Sequence, residues 1–153
     1  MKTNLRILSL VLTLLLLFFS SATLSGIYSQ LVGINRISFI IYEVILCDLL
    51  NILFVVALLY SNIGIHKYIK VNKFDISHYL MFKKSSNCFI IYSVLSSIKL
   101  VVNQLFFGLI VHEYGVEQFS KYFLSAIFGI SLLVIADFIK KAYEIQSENE
   151  LTI

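Results

Sequence analysis

Apolar positions along this chain form long uninterrupted runs rather than an alternation, and charged residues gather between the runs. Ile7–Tyr28 holds 22 residues without a charge. Ile37–Ile63 extends over 27 residues with Glu43 and Asp48 as its only charges, and Cys88–Val111 over 24 with only Lys99. Tyr122–Ala136 has 15 uncharged residues and reaches spanning length only with Asp137, Phe138 and Ile139. A bilayer core about 30 Å thick takes roughly 20 mostly apolar residues in a helix. The pattern therefore predicts four spanning helices, near residues 7–28, 37–63, 88–111 and 122–139. The fourth is short and relies on Asp137 snorkelling to the headgroups. The expected fold class is all-α: one domain, an integral membrane four-helix bundle, with a loop over 64–87 and a tail over 140–153.

Composition agrees with the pattern. The chain is 59% hydrophobic and 14% charged, against about 45–50% and 25% in soluble domains, and its mean hydropathy is +0.90. So little charge excludes intrinsic disorder, and the lack of a long basic run argues against direct nucleic-acid binding. Two cysteines exclude a disulfide framework. Cys47 is expected near mid-membrane and Cys88 near one face, too far apart in depth to bridge, so each reads as a small packing residue.

The basic residues set a direction. Lys2, Arg6, Lys67, Lys70, Lys73, Lys83, Lys84, Lys140 and Lys141 fall on one side of the four spans, Arg36 and Lys121 on the other. The positive-inside rule then puts both termini and the 64–87 loop in the cytoplasm. Tyr28, Tyr114 and Tyr122 fall at the outer interface and Tyr60, Tyr68 and Tyr143 at the inner one, as an aromatic belt would. The start of the chain has a second reading. Lys2 and Arg6, the run Ile7–Phe19 and then Ser20-Ser21-Ala22 also resemble a secretory signal. Retention is preferred, because Thr23–Tyr28 carries the apolar run to full spanning length. Helical spans point to an inner, cytoplasmic membrane, since outer-membrane proteins are normally barrels.

Within the loop, Asp75 or Ser77 is placed to cap a short helix with Ile76, Tyr79 and Leu80 apolar. With Lys83 and Lys84 following, it reads as an interfacial helix that anchors to anionic lipid, or docks a partner. In the tail, Phe138, Ala142 and Ile145 share helical spacing, so the fourth helix is expected to continue past the membrane with one apolar face. Glu144, Glu148 and Glu150 make that end acidic, opposite the basic loop.

Ionisable groups at membrane depth are expensive and normally face partners in the bundle. Asp48 lies close to the depth of Lys99. Glu43, Cys47 and Asn51 share a helical face, as do Ser96, Lys99 and Asn103, with Gln104 beside them. The expectation is that these stripes meet, with Asp48–Lys99 as an ion pair and Glu43 near Asn103 or Gln104. Such a stripe serves most simply to fix helix register; a proton or ion relay and a ligand-sensing pocket are its other readings. No metal or catalytic motif is present: His66, His78 and His112 are not at ligand spacing, no H-E-x-x-H or C-x-x-C occurs, and the six glycines are scattered. No cofactor is implied.

The tail also carries a family likeness. Ile135–Ile153, IADFIKKAYEIQSENELTI, resembles the C-terminal signature of the bacterial membrane family catalogued as domain of unknown function 2975, and Lys73–Lys84, opening with Lys73-Phe74, resembles its loop. Ala142-Tyr143 departs from that pattern, where many relatives are expected to have a glycine. The resemblance implies four spans and carries over no catalytic residue. It also implies a gene beside that of a very small helix-turn-helix regulator, and hence a membrane component that holds or senses for a DNA-binding partner. The leading expectation is a non-enzymatic regulator that uses Lys67, Lys70, Lys73, Lys83, Lys84, Glu144, Glu148 and Glu150 as contact residues. The alternative is a small dimeric transporter or ion-coupled permease built on Glu43, Asp48 and Lys99.

Overall fold

The structure, a computed structural model, describes residues 2–32, 39–71, 75–107 and 114–151. Four helices account for all of these but Asp75: α1 (Lys2–Val32), α2 (Phe39–Val71), α3 (Ile76–Phe107) and α4 (Tyr114–Leu151). With no proline in the chain, nothing removes a backbone donor inside a helix. Each helix contains a stretch long and apolar enough to cross a membrane: Thr3–Ser21, Leu46–Lys70, Ile76–Val102 and Ser120–Glu150. The protein is a multi-pass membrane protein.

The segment 64–87 differs from the loop expected there. α2 continues to Val71 and α3 begins at Ile76, so only residues 72–75 separate them. Two local features explain this. Gly64 lies inside α2 against the Phe82 ring, where even a Cβ would come within 3.2 Å of it. Asp75 caps α3: its carboxylate accepts from the Ser77 hydroxyl at 2.8 Å and, more loosely at 3.4 Å, from the Ser77 N–H. Its own backbone N–H donates to His78 Nδ1 at 3.0 Å, reciprocal bonding like that of a capping box. Ile76 and Leu80 remain exposed while His78 is buried.

α2 and α3 are antiparallel in a regular register. Cys47, Phe54, Ser61 and Tyr68, each seven residues from the next, meet Lys99, Tyr92, Ser85 and His78 in turn. A seven-residue repeat keeps one seam of a helix facing its partner, as in left-handed coiled coils. α3 turns a neighbouring seam to α4: the Ser86 hydroxyl donates to the Gly129 carbonyl and the Ser93 hydroxyl to the Tyr122 carbonyl, both at 2.7 Å. α1 runs antiparallel to α2, with Ser9 against Asn62 and Phe19 against Phe54.

Small residues set the spacing. Ser61, Ser85, Ser86 and Ser96 are fully buried, as are Ala57 and Ala136. In lipid, helices associate by close packing and hydrogen bonds rather than by hydrophobic exclusion, and small side chains let backbones approach. Around them Leu58, Ile65, Phe82, Phe89 and Leu132 form the core. One phenylalanine from each helix continues it as a row: Phe19, Phe54, Phe89 and Phe128, with successive centroids 5.0, 5.4 and 5.1 Å apart, edge to face. Among the described residues each helix packs only on its neighbours in sequence, so the bundle is open between α1 and α4.

Candidate functional site

Of the expected intramembrane cluster, the described side chains are those of Asp48, Asn51 and Lys99. α2 and α3 do meet at the level of Lys99, whose ammonium donates to Cys47 Sγ. Asp48, the next residue, points about 100° away around the helix, off the seam. Among the described residues no Asp48–Lys99 ion pair forms. Asn51 is exposed and lines an open cleft instead. The side chains of Glu43, Asn103 and Gln104 lie outside those described. Among the described residues no three His, Cys, Asp or Glu side chains are grouped to hold a metal; Cys47 and Cys88 are both free thiols.

A second polar group, missed in the sequence reading, joins α1 to α2. The Ser9 hydroxyl donates to Asn62 Oδ1 at 3.0 Å, and Asn62 Nδ2 donates to the Thr13 hydroxyl at 2.9 Å. That hydroxyl donates back to the Ser9 carbonyl at 2.8 Å, closing a ring. His66 Nδ1 lies 3.4 Å from Ser9 Oγ; since the Ser9 proton is committed to Asn62, the imidazole is the donor there. Ser9/Thr13 and Asn62/His66 are both four-residue spacings, the signal that was available in the sequence. They orient two helices that hydrophobicity alone would leave free to rotate.

The third group is the end of the bundle where α1 and α3 start and α2 and α4 finish. Lys67 and Lys70 are exposed at the end of α2. Lys83 donates to the Tyr79 hydroxyl at 2.9 Å, and Lys84 sits 5.6 Å over the Tyr60 ring, a cation–π contact between α3 and α2. Lys140 pairs with Glu144 at 3.7 Å on the exposed side of α4. Lys73 lies outside the described residues. Asp75 at this end has its carboxyl held below the usual range by the Ser77 hydroxyl and N–H, which favour the charged form.

From this end α4 projects. The register of Ser86 on Gly129 and Ser93 on Tyr122 sets Ile139 opposite the first residue of α3. Residues 140–151 therefore run past α3 by about 18 Å. Phe138 and Ile145 are 67% and 60% exposed, so the expected apolar stripe exists and turns away from the bundle. Glu144, Glu148 and Glu150 are exposed along the same stretch.

A family model described as "Protein of unknown function (DUF2975)" matches residues 27–153. The chain belongs to this family. The DUF2975 match takes in α2, α3 and α4 whole and the last six residues of α1. It thus contains both serine-lined seams and the projecting end of α4, and it bears out the likeness read from the tail. No curated protein and no solved structure matches the chain. DUF2975 membership assigns no reaction or ligand, so function has to be argued from the geometry.

Proposed function

We propose that the protein is a non-enzymatic regulatory component of a bacterial inner membrane, one that holds a small cytoplasmic helix-turn-helix protein at the basic end of its bundle. The observation that carries this reading is the last part of α4. Beyond α3 it carries the exposed Ile145, on the same side of the helix as Phe138, which is exposed beside the start of α3. An amphipathic helix offering anchors at i, i+4 and i+7 is a common ligand for a groove in a partner. Its glutamates complement the basic surface that a DNA-binding protein carries. The lysines at the ends of α2 and α3 orient this end toward the cytoplasm by the positive-inside rule, where such a partner is found. A regulator held through its DNA-binding surface is withdrawn from DNA until released.

The test is recovery of the partner from native membranes. The full chain should co-purify with a small helix-turn-helix protein, identified by mass spectrometry. A chain ending at Ser147, and Ile145→Glu in the full chain, should each lose it while remaining folded by circular dichroism. Equal recovery with all three chains, or none with the full chain, refutes the reading.

A further inference from the structure

The open side of the bundle holds a cleft of about 610 Å³ to which all four helices contribute. Its floor is the phenylalanine row, Phe19, Phe54, Phe89 and Phe128. Along the helix axes it runs from Leu12 to Thr23 on α1, eleven residues or about 17 Å. One leaflet of hydrocarbon is about 15 Å deep. The two ends differ in chemistry. Leu12 and Leu58 close the end nearer the basic side of the bundle, while Thr23, Asn51 and Lys121 stand at the other.

One turn below Lys121, on the same face of α4, the Ser125 hydroxyl lines the cleft. Ser125 is only 8% exposed, and its hydroxyl has no hydrogen-bond partner among the described residues. A buried hydroxyl without a partner is costly in an apolar setting. Thr23, by contrast, returns its proton to the Phe19 carbonyl at 2.7 Å. The cleft therefore presents an apolar trough, one unsatisfied donor and then a cation, in that order toward the membrane surface.

We infer that this cleft is a lipid site: it takes one acyl chain of an anionic phospholipid from the surrounding bilayer. The chain lies along the phenylalanine row, an ester carbonyl accepts from Ser125 and the phosphate faces Lys121. The order of groups matches that of a phospholipid read from tail to head. Entry needs no opening, because α1 and α4 do not pack on each other among the described residues.

The test uses the full chain in nanodiscs of equal parts phosphatidylglycerol and phosphatidylethanolamine, released for native mass spectrometry. The wild type should retain one phosphatidylglycerol per chain. Lys121→Gln should reduce the preference for phosphatidylglycerol over phosphatidylethanolamine about fivefold, the effect of one basic residue near anionic headgroups. Ser125→Leu, which fills the trough and removes the donor, should lower retained lipid about tenfold. Ser131→Leu makes the same change on the exposed side of α4 and should alter neither. Should Ser125→Leu fail to fold, the headgroup preference of Lys121→Gln decides. Four results overturn the inference: no retained lipid, an unchanged preference in Lys121→Gln, undiminished retention in a folded Ser125→Leu, or a lipid-free dimer. Retention of free fatty acid alone overturns it as well.

Discussion

The α3–α4 seam and the α1–α4 flank lie on opposite sides of the same helix, and they are built from different kinds of residue. In the seam, Ser86 and Ser93 face Gly129 and Tyr122, and hydroxyls reach carbonyls on the opposite backbone. On the flank, Leu14, Leu17, Phe123 and Leu124 are large and exposed. α1 and α4 both carry long apolar runs, yet among the described residues they do not pack on each other. In a membrane, large apolar side chains are as well accommodated by lipid as by protein, so they do not specify contact. Small residues, and polar ones with a partner across the gap, do. The regular seams hold the helices, and the flank between α1 and α4 stays open among the described residues.

The largest expected effect comes from spoiling the seam. A Cβ on Gly129 would lie 3.0 Å from Ile90 Cγ1, 3.1 Å from Phe89 Cβ and 3.2 Å from the Ser86 carbonyl oxygen. That backbone atom cannot step aside alone, so Gly129→Leu should destabilise by about 3 kcal/mol, measured by reversible unfolding in mixed micelles. If Gly129→Leu unfolds like the wild type, the seam is not what holds α4. Ser85→Ala comes next. It removes the 2.7 Å bond to the Ala57 carbonyl and the 2.6 Å contact with Ser61, which together contribute about 1 kcal/mol at membrane depth. Asn62→Ala should have a comparable or smaller effect of about 0.6 kcal/mol and should raise hydrogen exchange along α1 more than along α3. Uniform exchange would mean that the ring on Ser9 does not orient α1.

A smaller effect is expected at Asp75, and it depends on pH. Its carboxyl is held below the usual range by the Ser77 hydroxyl and N–H. Its capping contribution is therefore complete above the ordinary carboxylate range and fades as pH falls through the lowered folded value. Asp75→Asn should flatten that acid limb of the stability curve, and an unaltered limb would assign the effect to another carboxylate. The smallest effect is at Ile145, whose side chain is 60% exposed. Ile145→Gln should leave stability within about 0.5 kcal/mol, so any loss of partner binding at this position reports recognition and not folding.

Much of the fold was legible because a bilayer demands runs of fixed length. The four apolar stretches, the helical continuation of α4 and the cap at Asp75 all follow from local sequence. Register did not. Both the buried and the lipid-facing sides of these helices are apolar, so amphipathicity, the usual guide to the inner face, is nearly absent. What marks the seam is a spacing of seven in small or aromatic residues, as in Cys47, Phe54, Ser61 and Tyr68. That cue is drowned by the leucines and isoleucines around it. Asp48 and Lys99 were matched by depth, but depth leaves rotation about the helix axis undetermined, and a single residue's turn gave the place on the seam to Cys47. Segment 64–87 reads as a loop for a related reason. Its histidines, lysines and serines look like surface residues, yet Ser85, Ser86 and His78 are buried because two helices meet there closely enough to cover them.

Contacts confined to successive helices have a consequence for how the molecule is made. Among the described residues no helix packs on any but its neighbours in sequence, so none waits on a segment still to be synthesised apart from the next. α1 and α2 can pair as a hairpin as soon as both have left the ribosome, and α3 and α4 then add one at a time against a surface already in place. Low sequence separation between contacting residues is the condition under which chains fold fastest, and it shortens the time that Asn62, Lys99 and the serines spend in the bilayer without their partners.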